Sequence, residues 1–551
     1  MNNKTLLIIG GVAGGASAAA RARRLDESLK IILVERGEAI SFANCGLPYH
    51  IGGEIEDRDD LLIQTPQRMK KRFNIDVLTR TEAQSIDRQA KTVRLRDLAS
   101  GQEREQAYDL LLLSPGAEPL RPPIPGLGLP GAFTLRNLAD MDRIKALVDA
   151  DPKGRALVLG GGYIGLEMAE ALRRRGMAVT LAEAAPQVMG PADPEMAFWL
   201  HEALREQGVD LRLSCALKGL APGEGAALLA DLGGAQAEPF DLVLVAIGVK
   251  PESKLAREAG LKLGARGGIV VDASMRTEDP SIWAVGDAVE VVDLVSGKPA
   301  QIPLAGPANR QGRIAADSML GRASAYKGTQ GTAICKLFDA TIAMTGLSEK
   351  ALKAAGIACE KVYLHPAHHA GYYPGAEPMH LKLLFAPEDG RILGAQAVGG
   401  AGVDKRIDVL AVALRAGLTV HGLQDLELSY APPYGSAKDP VNFAGFLACN
   451  VLDGDVALCH SAEARAPKPS QLLLDVRTPA EFAEGAIPGA INIPLDDLRR
   501  RLGELDKGKE LLVHCQVGLR GYLACRILSQ HGLRCRNLSG GYLTYLSTAS
   551  A

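Results

Sequence analysis

Residues 155–176, RALVLGGGYIGLEMAEALRRRG, set a short apolar run against three glycines and then an Ala-, Leu- and Arg-rich stretch. Gly160, Gly162 and Gly165 have the spacing of a strand–turn–helix that binds a dinucleotide. The glycines let the backbone approach a pyrophosphate, and the helix start offers N–H donors and the positive end of a dipole. The next apolar run, VTLAEAA, ends in Glu183, about twenty residues on, where a carboxylate accepts from a ribose.

The same unit occurs earlier. TLLIIGGVAGGASAAARARRL, residues 5–25, repeats the strand, turn and helix with Gly10, Gly14 and Gly15, and IILVERG supplies the acid Glu35. Val12 stands where the middle glycine of the full pattern would be. Two complete units in one chain predict an α/β protein with two dinucleotide sites. LLLSPGAEP (111–119), LVLVAIGVKPES (242–253) and SIWAVGDAVEV (281–291) read as further buried strands running into glycine turns, the last at Gly286-Asp287.

The chain has 551 residues, 47% hydrophobic and 23% charged, enough for several packed cores. A formal net charge of -2 gives no reason to expect nucleic acid or a membrane surface as partner. The first residues lead straight into a strand pattern, and no apolar run approaches a membrane span, so a cytoplasmic protein is expected. The nine cysteines form no C-x-x-C and no zinc-ligand spacing, so neither a disulfide scaffold nor a metal is expected.

Two cysteines stand in distinctive surroundings. Cys45 lies in SFANCGLPY (41–49) with no second cysteine nearby. One thiol cannot store two electrons as an internal disulfide, but it can form a mixed disulfide, a persulfide or a sulfenic acid. The chemistry needs a thiolate, and Pro48 is placed to open a helix that would lower the thiol pKa. Cys515 lies in HCQVGLRG, with four residues between it and Arg520. A cysteine-phosphatase loop has five, so this tighter cradle suits a single sulfur better than a phosphate.

Residues 325–448 read as strands and turns with an amphipathic helix. NVLDGDVALCHSAEARAPKPS, from 450, reads as a semi-flexible linker, and a small α/β unit containing DVRTPAEFAEGAIPGAINIP follows.

Taken together, the paired glycine units, WAVGD, the lone Cys45 motif and the C-terminal pair of motifs resemble the pyridine nucleotide–disulfide oxidoreductases. The chain is similar in particular to the coenzyme A disulfide and persulfide–polysulfide reductases that carry a rhodanese tail. The resemblance implies two Rossmann-like domains, an α+β interface domain and a C-terminal rhodanese domain. The expected extents are 1–115 and 245–322 for a discontinuous FAD domain, 116–244 for the NAD(P)H domain, 323–448 for the interface, 449–468 for the linker and 469–551 for the rhodanese domain. It implies FAD on Gly10, Gly14, Gly15, Glu35 and Asp287, and NAD(P)H on Gly160, Gly162, Gly165 and Glu183. Glu183 favours NADH, since an acid at the ribose disfavours a 2′-phosphate.

It also implies that Cys45 attacks a disulfide or persulfide of coenzyme A, beside Ser41 and Asn44. Arg21 and Arg24 would meet the coenzyme's phosphates, with Lys71 of the KKR cluster as a weaker expectation. In a homodimer, Tyr372 and Tyr430 of the interface domain, with Tyr373 and Tyr434 in reserve, would protonate a departing thiolate. Cys515 would carry sulfane sulfur as a persulfide, stabilised by Arg520, above Asp475 and Arg477 in structural roles. Two other readings stay open: an NADH oxidase or peroxidase cycling Cys45 through a sulfenic acid, and a flavin redox sensor with a docking rhodanese domain.

Overall fold

The computed structural model describes residues 4–225 and 227–548. The chain forms two compact units, Met1–Ala184 with Val209–Gly331, and Ala185–Gly208 with Thr332–Ala551.

In the first unit, a five-stranded parallel sheet runs in the order Ile282–Ala284, Leu110–Leu113, Thr5–Ile9, Lys30–Val34, Asp76–Leu78. Leu6, Leu7, Ile8, Leu111 and Leu112 are fully buried. Burial on both faces explains why these strands read as unbroken apolar runs rather than as alternations. The chain order reverses between Thr5–Ile9 and Leu110–Leu113, which opens a crevice at the carboxyl ends of the strands, where dinucleotides bind. The Ala-rich helix Ala13–Leu25 packs along helix Ala305–Met319, and a Cβ on Gly312 would strike the Gly14 carbonyl oxygen. Small residues thus set the spacing of this helix pair.

A second parallel sheet in the same unit has the order Asp210–Arg212, Ala178–Ala182, Arg155–Leu159, Leu242–Val245, Ala132–Phe133. Antiparallel strands Ala117–Pro119 and Val249–Pro251 lie side by side where the chain passes between the two sheets.

The second unit contains an antiparallel sheet in the order Ala333–Leu337, Ala340–Gly346, Ile392–Gly399, Met379–Phe385, Glu360–Leu364, packed against helix Val403–Ala416. Lys382 on this sheet is wholly buried and its Nζ lies 2.9 Å from Asp193, 2.5 Å from Glu195 and 2.7 Å from Glu349. The Tyr363 hydroxyl donates to Glu195 at 2.6 Å and Gln396 Nε2 to Asp193 at 2.6 Å. Asp193 and Glu195 belong to the segment around helix Pro194–Glu206, which the sequence reading placed in the NAD(P)H domain but which packs in this second unit. The reason is electrostatic: a buried ammonium is tolerable only with its charge matched and its donors used. The three carboxylates that cluster here at metal-ligand distances therefore already hold a cation, the Lys382 ammonium.

The C-terminal sheet is parallel, in the order Leu458–Cys459, Cys535–Leu538, Glu510–His514, Gln471–Asp475, Ile491–Asn492. The stretch 449–468, expected to be a linker, is instead built in. Helix Pro440–Leu452 runs into it from a capping box at Asp439, Leu458–Cys459 is an edge strand, and Ser461–Arg465 forms a short helix. Its small residues read as loose chain, yet Val456, Cys459 and Ala464 are core. Among the described residues, no helix is long and apolar enough to cross a membrane.

Candidate active sites

The crevice of the first sheet opens into a cavity of about 970 Å³. Gly10, Gly14, Glu35, Arg21, Arg24, Ser41, Asn44, Cys45 and Asp287 all line it, so most of the residues named for FAD and coenzyme A come together. Gly15 does not line it but packs beneath, where a Cβ would strike the Gly10 carbonyl. Lys71 is exposed on helix Pro66–Phe73, outside the cavity; the charge run there is a solvated face.

The cradle fits FAD. Gly10 has φ +98°, and a Cβ there would strike the Ser114 carbonyl. Glu35 reaches back so that Oε2 accepts from Gly11 N at 2.9 Å and Oε1 from Gly37 N at 2.8 Å, which fixes the carboxylate at the end of its strand. Asp287 sits in the short turn Gly286–Ala288, and burial pushes its carboxyl up to about 6. Such an acid is satisfied by a hydroxyl-bearing chain.

Cys45 is a free, exposed thiol facing this cavity from the turn Asn44–Gly46, ahead of helix Leu47–Gly52 with Pro48 in its first turn. Ser41 N donates to the Gly11 carbonyl at 2.8 Å, which ties the cysteine loop to the glycine turn. Ser41 itself has φ +44°, a left-handed backbone that costs about 1 kcal/mol or more in a non-glycine residue. The expected lowering of the thiol pKa is not what the surroundings produce. Crowding by protein raises it, and the Glu167 and Asp287 carboxylates raise it further. The helix after Cys45 has only six residues, too short to outweigh two acids.

Glu167 was not legible as a site residue. It lies on helix Tyr163–Arg174, directly after the second glycine turn, and accepts from the Tyr49 hydroxyl at 3.3 Å. Burial pushes its carboxyl up to about 7, against the opposing effect of Tyr49. It brings the second dinucleotide module within electrostatic reach of Cys45. The one available signal was an acid two residues past Gly165, on the helix that follows the second glycine turn.

The second module repeats the first. Gly160 has φ +97°, a Cβ on Gly165 would strike the Gly160 carbonyl, and Glu183 Oε2 accepts from Gly161 N at 2.6 Å. A Cβ on Gly162 would meet nothing within 4 Å. The turn therefore leaves open space beside the Gly162 backbone, as the close approach of a pyrophosphate needs.

Arg21 is half-buried and held by Asp317 at 2.7 Å, so its charge is largely matched, whereas Arg24 is exposed on the cavity rim. Arg23, between them, is buried with its guanidinium on five backbone carbonyls. In the second unit Tyr372 and Tyr430 are exposed, with hydroxyls 2.8 Å apart. Tyr373 and Tyr434 are exposed too, but they do not join that pair; Tyr373 lies edge-on to His369.

Cys515 directly follows strand Glu510–His514 and is completely buried. Its loop turns at Gly518 (φ +98°), whose N–H donates to Cys515 Sγ at 3.2 Å, and helix Leu519–Gln530 follows. Arg477 is buried below. It binds Asp475 at 2.7 Å and donates to Gln516 Oε1 at 3.1 Å and to the Gly485 carbonyl at 2.6 Å, holding the loop from underneath. Arg520 makes a two-point pair with Glu481, Nη1 to Oε2 at 2.8 Å and Nη2 to Oε1 at 2.5 Å, on the side where it also meets Cys515.

Comparison with known proteins agrees with this geometry. Residues 4–312 match the pyridine nucleotide-disulphide oxidoreductase family, 332–440 its dimerisation domain and 459–548 a rhodanese-like domain. A coenzyme A disulfide reductase of Staphylococcus haemolyticus is 36% identical over 448 residues, 81% of this chain and 99% of the relative. The crystal structure of reduced Bacillus anthracis CoADR-RHD is 49% identical with a TM-score of 0.96, covering 99% of this chain and 98% of that one. The NAD-dependent persulfide reductase from A. fulgidus is 39% identical with a TM-score of 0.91, covering 98% and 100%. FAD and NAD(P)H are the cofactors of such enzymes, and the two glycine cradles have the shape and donors to hold them. The chain belongs to the pyridine nucleotide-disulphide oxidoreductases, as an oxidoreductase of the coenzyme A disulfide and persulfide reductase branch with a rhodanese domain at its C-terminal end.

Proposed function

We propose that the protein reduces coenzyme A persulfide, polysulfide and coenzyme A disulfide with NAD(P)H through Cys45 alone, and that Cys515 moves sulfane sulfur to or from that reaction. The carrying observation is that a free Cys45 lines the same cavity as the first glycine cradle and Asp287, and that all nine cysteines are free. With no cysteine bonded to it, the thiol takes its redox partner from the substrate.

FAD, when bound, supplies the two-electron relay between NAD(P)H and sulfur. The chain's own groups do the rest. Gly10, Gly14, Glu35 and Asp287 hold the flavin nucleotide; Gly160, Gly162, Gly165 and Glu183 hold the nicotinamide nucleotide. Arg24 offers its guanidinium to the coenzyme's phosphates, and Ser41 and Asn44 shape the wall beside the thiol. Cys45 attacks the S–S bond as a thiolate. Glu167 opposes that thiolate once its carboxyl loses its proton at about pH 7. The matched dimerisation domain supports a homodimer, in which the Tyr372–Tyr430 pair is assigned to protonating the departing thiolate.

The test is anaerobic reduction of coenzyme A persulfide by NADH, with hydrogen sulfide measured. The wild type releases sulfide in step with NADH, and Cys45→Ser keeps its flavin and releases none. Sulfide release undiminished in Cys45→Ser would remove this reading, and faster NADH consumption with hydrogen peroxide than with the persulfide would favour a sulfenic acid cycle.

A further inference from the structure

Both guanidinium groups at the Cys515 loop already have an anion. Arg477 is matched by buried Asp475, and Arg520 by Glu481. The second pair is held in place: the Thr478 N–H and hydroxyl each donate to Glu481 Oε2 at 2.9 Å, and Glu481 N donates back to the Thr478 hydroxyl at 3.3 Å. The short helix Pro479–Glu484 therefore aims its carboxylate at Arg520 by its own capping geometry. Arg520 holds the Glu481 carboxyl down at about 2, so the carboxylate stays charged at any working pH. The loop thus offers its sulfur the Gly518 N–H and a guanidinium whose charge Glu481 already matches.

We propose that Glu481 sets the sulfur donor of the Cys515 loop. By occupying Arg520 it excludes compact dianionic donors such as thiosulfate and admits persulfides of long thiols, whose charges lie far from the sulfur, as in coenzyme A. The inference rests on the reading of Cys515 as a persulfide carrier. In the transfer, the Cys515 thiolate attacks the outer sulfur of R–S–SH. A bond forms between Cys515 Sγ and that sulfur, the S–S bond of the donor persulfide breaks, and its electron pair leaves with the thiolate R–S⁻. With thiosulfate the same step would expel sulfite, a dianion that needs a cation as it departs. Arg520 would be that cation if Glu481 did not hold it. Glu481 is a positioning residue, acting through Arg520.

The experiment uses the full chain with thiosulfate and coenzyme A persulfide as donors and cyanide as acceptor, and reads the ratio of kcat/KM for the two. Glu481→Gln keeps the reach to Thr478 and removes the charge; the ratio should shift toward thiosulfate by about tenfold or more. The double variant Glu481→Gln, Arg520→Gln should return the ratio to the wild-type value. An unchanged ratio, a uniform loss with both donors, or a shift that survives in the double variant would overturn the inference. Mass measurement of Cys515 separates the layers. If Cys515 gains a sulfur but the ratio does not move, only the role of Glu481 falls. If Cys515 gains none from either donor, the persulfide reading falls with it.

Discussion

The two reactive thiols of this chain are built in opposite ways. Cys45 stands on a cavity wall where crowding by protein first, and then the Glu167 and Asp287 carboxylates, raise its pKa and favour the thiol. Cys515 is fully buried under a turn of backbone donors, with guanidinium groups on two sides. A sulfur that must exchange partners with a large substrate needs space, whereas a sulfur that must hold one extra atom needs donors. The acids around Cys45 also fit a site where negative charge is passed on rather than stored.

The largest effect that would break this contrast is on the exposed thiol. Cys45→Ser should lower NADH-dependent reduction of coenzyme A disulfide by about a thousandfold or more with flavin absorbance retained. Cys515→Ser should end sulfur transfer to an acceptor thiol; loss of disulfide reduction in the same variant would mean that the two thiols work in series on one substrate. Next comes the support beneath the loop. Arg477→Ala leaves Asp475 charged and buried and should cost about 3–5 kcal/mol, seen as an early unfolding step of the rhodanese part in calorimetry.

A smaller change sharpens the contrast. Glu167→Gln removes a carboxylate that opposes the Cys45 thiolate, so the alkylation–pH profile of Cys45 should move to lower pH. The same residue predicts a pH dependence of stability. Its folded value, about 7, lies above the ordinary 4.5, so between those limits the folded state binds more protons than the unfolded one. Its contribution is therefore most favourable below about 4.5 and declines as pH rises to about 7. That decline should be absent in Glu167→Gln when melting temperatures are compared across the window. The smallest effect is at the tyrosine pair. Tyr430→Phe leaves Tyr372 without its 2.8 Å partner and should slow coenzyme A disulfide turnover by about tenfold or less, with wild-type melting because both rings are exposed.

What the sequence made legible follows from what is local. Each glycine turn, its strand and its acid lie within one stretch of chain, and their chemistry is decided by spacing; Val12 is compatible because its backbone stays at φ −93° and needs no left-handed turn. Glu167 was hidden because its relation to Cys45 exists only after helix Tyr163–Arg174 is folded beside helix Leu47–Gly52. The raised thiol was missed for the same reason, since motif spacing says nothing about how many acids and how much protein surround a sulfur. The supposed linker failed differently: Val456, Cys459 and Ala464 are too sparse to show a period, yet each finds a core. Glu481 had no sequence reading at all, because its partner Arg520 lies 39 residues further along the chain.

The ion cluster around Lys382 bears on how this enzyme can be dissected. Asp193 and Glu195 are encoded between the strands of the second nucleotide-binding sheet, but their counter-charge arrives almost two hundred residues later. A chain trimmed from its C-terminal side to the nucleotide-binding segments would keep those carboxylates and the apolar face of Pro194–Glu206 and lose what neutralises and covers them. Such a fragment should clump rather than bind nucleotide, so the minimal reductase extends at least through the antiparallel sheet that carries the lysine.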